Sequence, residues 1–133
     1  MKLVLKILGV VVALFVGVMI LQMVASESGE VVVLTTTDAD GNPQETRLWI
    51  VEYEDASWLR SGSPAAGWYQ RLVANDAVTL ERDEQGYAMR AVPVIENRQP
   101  INDLMNAKYG WADDYIGVVF GRDDAIAIRL DKI

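Results

Sequence analysis

The run Trp58-Leu59-Arg60-Ser61-Gly62-Ser63-Pro64-Ala65-Ala66-Gly67-Trp68-Tyr69-Gln70-Arg71-Leu72-Val73-Ala74-Asn75-Asp76-Ala77-Val78 contains the change from strand to helix and back on which the architecture turns. Trp58 to Ser61 reads as a short strand. Gly62 and Pro64 break it, and Ser63 is placed to cap a helix whose first position is Pro64. Trp68/Leu72 and Tyr69/Val73 then pair at four-residue spacing, so this segment buries one helical face. Val78-Thr79-Leu80-Glu81-Arg82 resumes the alternation of a half-buried strand.

Outward from this run the chain is mostly β. Val31 to Thr37 is rich in β-branched residues, Asp38 to Pro43 is dense in turn formers, and Glu45 to Tyr53 is extended again, which predicts a hairpin. Glu54-Asp55-Ala56-Ser57 and Asp83-Glu84-Gln85-Gly86 are further turns, the second leading into a strand from Tyr87 to Val94. A second helix runs from Asn97 or Pro100 to Tyr109, with Gly110 as its cap. Ala125 to Asp131 is a last strand with Ile126, Ile128 and Leu130 on one face, while residues 113–120 carry no clear pattern. The expected fold class is mainly β (α+β): a small barrel of about six strands with two or three helices.

One segment stands apart. Ile7 to Leu21 carries no charge and, continued to Val24, forms an apolar stretch interrupted only by Gln22. At about 1.5 Å per residue it extends roughly 27 Å, close to the apolar thickness of a bilayer. Residues 1–25 are therefore read as a membrane anchor, or as a cleaved signal peptide, and residues 26–133 as one barrel domain. Lys2 and Lys6 precede the span and Glu27 and Glu30 follow it, so the positive-inside rule puts the N-terminus in the cytoplasm and the domain outside. Cleavage would instead release a secreted domain.

Composition removes many chemistries. The 133 residues include no cysteine and no histidine, which excludes thiolate nucleophiles, Cys/His zinc sites and Ser-His-Asp triads. There are 12 basic and 19 acidic residues; taking away Lys2 and Lys6 leaves a domain of about −9, with no footprint for nucleic acid. Asp38, Asp40, Asp113, Asp114, Asp123 and Asp124 lack the spacing of a calcium loop and are read as solvated turns, so no metal is expected.

The best candidate site is the turn Arg60-Ser61-Gly62-Ser63 at a helix N-terminus, where backbone N–H groups, the helix dipole and the Arg60 fork would attract an anion. Arg71 is expected on the same side. Trp49, Trp58, Trp68 and Tyr69 supply aromatic faces for a planar ligand, with plain core packing as the alternative.

The sequence resembles the split β-barrel flavin and deazaflavin reductases. The likeness rests on Ser61, Gly62, Trp68, Tyr69, Leu72, Ala74 and Asn75, with Asp76 replacing the proline of the family's Ala-Asn-Pro, and on Leu34-Thr35-Thr36-Thr37 and Arg47-Leu48-Trp49-Ile50-Val51. Ala107-Lys108-Tyr109-Gly110 and Ile128-Arg129-Leu130 are similar to a related branch. This resemblance implies a split barrel that binds FMN or a deazaflavin coenzyme of the F-420 type and passes a hydride to a small quinone-like or nitroaromatic acceptor. It also implies a homodimer. Cofactor contacts would come from Arg60, Ser61, Gly62, Ser63, Trp68, Tyr69, Arg71 and Asn75, and a proton from Tyr69 or Tyr109. One departure is plain: the acidic Asp38-Ala39-Asp40-Gly41 stands where the deazaflavin enzymes carry a basic, phosphate-holding turn. A non-catalytic membrane-tethered module that binds a small anionic or aromatic ligand, or that dimerises, is the competing class.

Overall fold

A computed structural model describes residues 1–26, 29–120 and 124–133. Helix α1 (Lys2–Ser26) precedes strands β1 (Val31–Thr37), β2 (Pro43–Tyr53) and β3 (Ala56–Ser61), helix α2 (Gly67–Ala74), and strands β4 (Ala77–Arg82) and β5 (Gln85–Pro93). A 3-10 turn at Ile95–Asn97 leads to α3 (Arg98–Tyr109), α4 (Trp111–Phe120) and β6 (Ile126–Lys132). The six strands close into an antiparallel barrel in the order β1-β2-β3-β6-β5-β4, which leaves no edge strand to template aggregation.

Side-chain alternation sets what faces in. Ile50 pairs with Leu59, Leu59 with Ile128, and Leu34 with Leu80, so these residues meet inside the barrel. Trp68 and Leu72 of α2 plug the same core, as their spacing predicts. On the outer face, Val51, Trp58 and Ala127 pack against Ile101, Met105 and Tyr109 of α3. Strands β2, β3 and β6 are thus covered on both sides there. Full burial of an aliphatic or aromatic side chain stabilises by about 1.5–3 kcal/mol, so α3 is held mainly by this apolar contact.

Turn geometry departs from expectation in one instructive way. Glu54, Asp55, Asp83 and Glu84 all have φ between 49° and 65°, so both hairpins use two-residue turns in the left-handed region without any glycine. Gly110 caps α3 at φ 57°, as expected, and residues 113–120, which had no clear pattern, belong to the helix α4.

Helix α1 is long and apolar enough to cross a membrane, and Lys2–Leu21 is not buried by the rest of the protein. Its exit is pinned to the barrel. The Glu30 carboxylate accepts hydrogen bonds from Arg82 Nε at 2.8 Å and Lys108 Nζ at 2.6 Å, while Tyr109 Oη donates to the Glu30 carbonyl at 2.6 Å. Gly29 is required beside this clasp: it has φ 74°, and a Cβ there would lie 2.9 Å from the Tyr109 ring.

Candidate functional site

Strand alternation separates residues that are adjacent in sequence. Leu59 and Ser61 point into the barrel and Arg60 points out. Ser61 is fully buried and its hydroxyl donates to the Ser63 carbonyl at 2.8 Å, a local bond that shapes the turn. Ser63 does not cap α2. Its Oγ accepts the Ala65 N–H at 3.1 Å, the turn continues through an Ala66 N–H to Ser63 carbonyl bond, and the helix starts only at Gly67. The competition between side-chain turns and helix capping is intrinsic to serine.

Arg60 lies on the outer surface of β3, beneath α3 and α4. Its Nη2 donates to Asp113 Oδ1 at 2.7 Å and its Nη1 to Asn102 Oδ1 at 3.2 Å, and Asp113 is fully buried. Asn106 Nδ2 reaches the other Asp113 oxygen at 3.2 Å. Asp113 is therefore a structural partner rather than a solvated turn residue, while Asp123 falls outside the described residues.

A pocket of about 190 Å³ opens beside this pair, lined by Arg47, Leu48, Trp49, Arg60, Gly62, Met105 and Ile116. Arg47 and Trp49 point outward from β2, as Arg60 does from β3. The Trp49 ring is stacked on Tyr109 at 4.3 Å between centroids and 8° between planes, which fixes its orientation. Gly62 faces open space: a Cβ there would meet no atom within 4 Å. Two guanidinium groups, one half-buried indole and an unobstructed glycine suit a planar ligand bearing a carboxylate or phosphate.

Arg71 is elsewhere. Its Nε donates to Thr36 Oγ1 at 2.8 Å, and with Asp38, Gly67, Gln70 and Asn75 it lines a second, open cleft of about 450 Å³. The sequence-level grouping of Arg60 with Arg71 is thus split between two places, because the strand carries one outward and the helix carries the other toward β1. Asp38 in that cleft closes its own turn, with Oδ1 accepting the backbone N–H groups of Asp40 and Asn42 at 2.9 Å each. The Asn42 bond foremost holds its carboxyl below the usual carboxylate range. An ionised carboxylate at this position opposes a phosphate.

The remaining expected residues have other occupations. Trp68 is buried in the barrel and Tyr69 packs against that core. Asn75 ends α2, its side chain accepting the Ala77 N–H at 3.3 Å. The Tyr109 hydroxyl accepts the Ile50 N–H at 2.9 Å and donates to the Glu30 carbonyl, and burial raises its pKa above the ordinary phenol value. Such a group positions Trp49 and is poorly suited to giving up a proton. Sequence reasoning missed Arg47, Met105 and Ile116 as pocket residues; only the outward register of Arg47 with Trp49 was readable in advance.

No protein-family model matches the chain, and no curated protein matches its sequence. Solved structures do match. An F420-H2 dependent reductase is 22% identical with a TM-score of 0.57, the match covering 74% of this chain and 92% of the other. HutZ, a heme storage protein of Vibrio cholerae, is 17% identical with a TM-score of 0.60 over 85% of each chain. A NimC/NimA family protein from Clostridium acetobutylicum is 16% identical with a TM-score of 0.57, covering 80% of this chain and 73% of that one. These likenesses establish the fold as the split β-barrel.

Proposed function

We propose that the protein is a membrane-anchored oxidoreductase whose split barrel binds a flavin or deazaflavin at the Arg47–Trp49–Arg60 pocket and reduces a small quinone-like or nitroaromatic acceptor. The observation that carries this reading is the convergence of Arg47, Arg60 and the oriented Trp49 edge around the open face of Gly62. The donor set fits one planar ring system and one anionic group. Its 190 Å³ is below the roughly 300–1,000 Å³ of sites that enclose a whole ligand, so the cofactor would lie partly across the surface. The homodimer implied by the resemblance would supply a second wall.

The bound cofactor would supply the hydride chemistry. The chain's own part is orientation and dryness: Trp49, held by Tyr109, presents an aromatic edge; Arg47 and Arg60 hold negative charge; Met105 and Ile116 exclude water. Asp113 and Asn102 hold the Arg60 guanidinium in place. This sequence has neither His nor Cys to offer as an axial haem ligand.

The acidic Asp38 turn, standing where a phosphate-holding turn would be, favours the second reading, a non-catalytic tethered module that binds a small anionic or aromatic ligand or mediates dimerisation. The two are separated by purifying the full chain in detergent, titrating it with FMN and with a deazaflavin, and then supplying the reduced cofactor and a short-chain benzoquinone without oxygen. The oxidoreductase reading predicts micromolar binding of one cofactor and turnover that exceeds the protein-free rate. Binding without turnover leaves the module.

The anchor belongs to the same proposal. Lys2 and Lys6 orient α1 with its N-terminus in the cytoplasm and the barrel outside. A tag at Ile133 that protease reaches in cells with only the outer barrier opened supports this topology, and a protected tag contradicts it.

A further inference from the structure

Helix α4 is more than a lid on Arg60. Its sequence from Ile116 to Phe120 has no charged residue, and Val118 is 87% exposed, the most exposed large apolar side chain outside α1 among the described residues. A lone exposed apolar residue is ordinary, whereas several on one face mark a contact surface. Trp111, two turns earlier on the same helical face, is 53% exposed. Between them Tyr115 Oη donates to the Val18 carbonyl of α1 at 3.3 Å, so this face lies directly beside the apolar helix.

The depth of that contact is informative. Val18 is six residues from Val24, where the apolar run ends in the sequence, hence about 9 Å along the helix axis. Interfacial helices bury their apolar faces about 5–10 Å into the headgroup and acyl boundary, and Trp and Tyr concentrate at that level. Of the two carboxylates of α4, Asp113 is buried against Arg60, and the exposed Asp114 is drawn toward α3 by a 2.5 Å hydrogen bond from Asn106.

We propose that α4 is a second membrane-contacting element, an interfacial helix whose Val118 end rests in the bilayer surface that α1 crosses. This rests on reading α1 as a retained span. Its consequence concerns the pocket: Ile116, adjacent to the Tyr115 contact with α1, is also a pocket wall, so a lipophilic acceptor would arrive from the lipid side.

The natural chain has no cysteine, so single labels are unambiguous. Val118→Cys and Leu14→Cys full-length proteins, nitroxide-labelled in phosphatidylcholine vesicles, are compared for collision with oxygen and with an aqueous nickel chelate. Both labels are expected to favour oxygen, with relaxation by the chelate reduced at least threefold relative to a label at exposed Glu84. A Leu14 label in lipid with a Val118 label as open to the chelate as Glu84 overturns the α4 proposal alone. Chelate access at both positions, or loss of the Leu14 label by cleavage, removes the span and the proposal with it.

Discussion

Asp113, fully buried at the start of α4, accepts a 2.7 Å hydrogen bond from Arg60 on β3, a strand 53 residues earlier in the chain. The Arg60 side chain keeps 11% exposure, so the pair sits at the edge of the interior and orders one guanidinium at the pocket rim. Removing one partner of a buried pair leaves a desolvated charge and costs about 3–5 kcal/mol. Asp113→Ala is expected to lower the urea midpoint by a corresponding amount, while Arg60→Met with Asp113→Leu loses less than the two single changes summed. Additive losses would mean that the two side chains do not act as a unit.

Arg47 is exposed on β2 and carries the pocket's more accessible charge. A charge-assisted hydrogen bond is worth about 1.5–3 kcal/mol, so Arg47→Ala should weaken cofactor binding about 10- to 100-fold. Screening of exposed charges predicts that raising salt weakens the wild type more than this variant. Equal salt dependence, measured by calorimetric titration, would place the anion elsewhere.

Glu30 is the centre of the clasp between the α1 exit and the barrel, and its hydrogen bonds to Arg82 first and then Lys108 depress its carboxyl pKa. A depressed folded-state pKa contributes stability above the ordinary value of about 4.3, which is lost as pH falls through the lower folded value. Glu30→Gln should therefore be less heat-stable at neutral pH, and its melting temperature should approach that of the wild type as pH falls below about 4.3. Asp38 and Asp131 are also depressed and steepen the acid limb of both proteins equally. Parallel melting curves from pH 3 to 7 would contradict a role for ionised Glu30.

Glu84 sits at φ 65° in the β4–β5 hairpin. A non-glycine residue in this region costs about 1 kcal/mol, partly offset by the freedom glycine adds to the unfolded chain. Glu84→Gly is expected to stabilise the protein by about 0.5 kcal/mol and Glu84→Val to destabilise it by about 1 kcal/mol. Thermal melts with the opposite order would show that the turn is differently built.

Most of the barrel was readable because strand alternation and turn chemistry are local. The inward faces of Ile126, Ile128 and Leu130, the Trp68/Leu72 plug and the Gly110 cap all follow from spacing within one element. The site was harder. Arg60 and Ser61 look like one motif in sequence, yet neighbouring strand positions face opposite sides, and Arg71 was carried to β1 by α2. The partners of Arg60 come from α3 and α4, and no local pattern announces a contact between residues 60 and 113. Helix α4 had no recognisable polar face because Trp111 and Val118 are exposed beside Asp114, a mixed pattern that its position beside α1 helps to explain.

Gly62 offers the most direct test of the pocket. A Cβ at this position meets no atom within 4 Å, and its φ lies outside the left-handed region, so Gly62→Leu fills the pocket mouth without straining the fold. FMN and a deazaflavin should be titrated against wild type and Gly62→Leu full-length protein of matched circular dichroism and melting temperature. The account predicts micromolar binding of one cofactor to the wild type and a loss of at least tenfold in the variant; equal binding by the two proteins would contradict it.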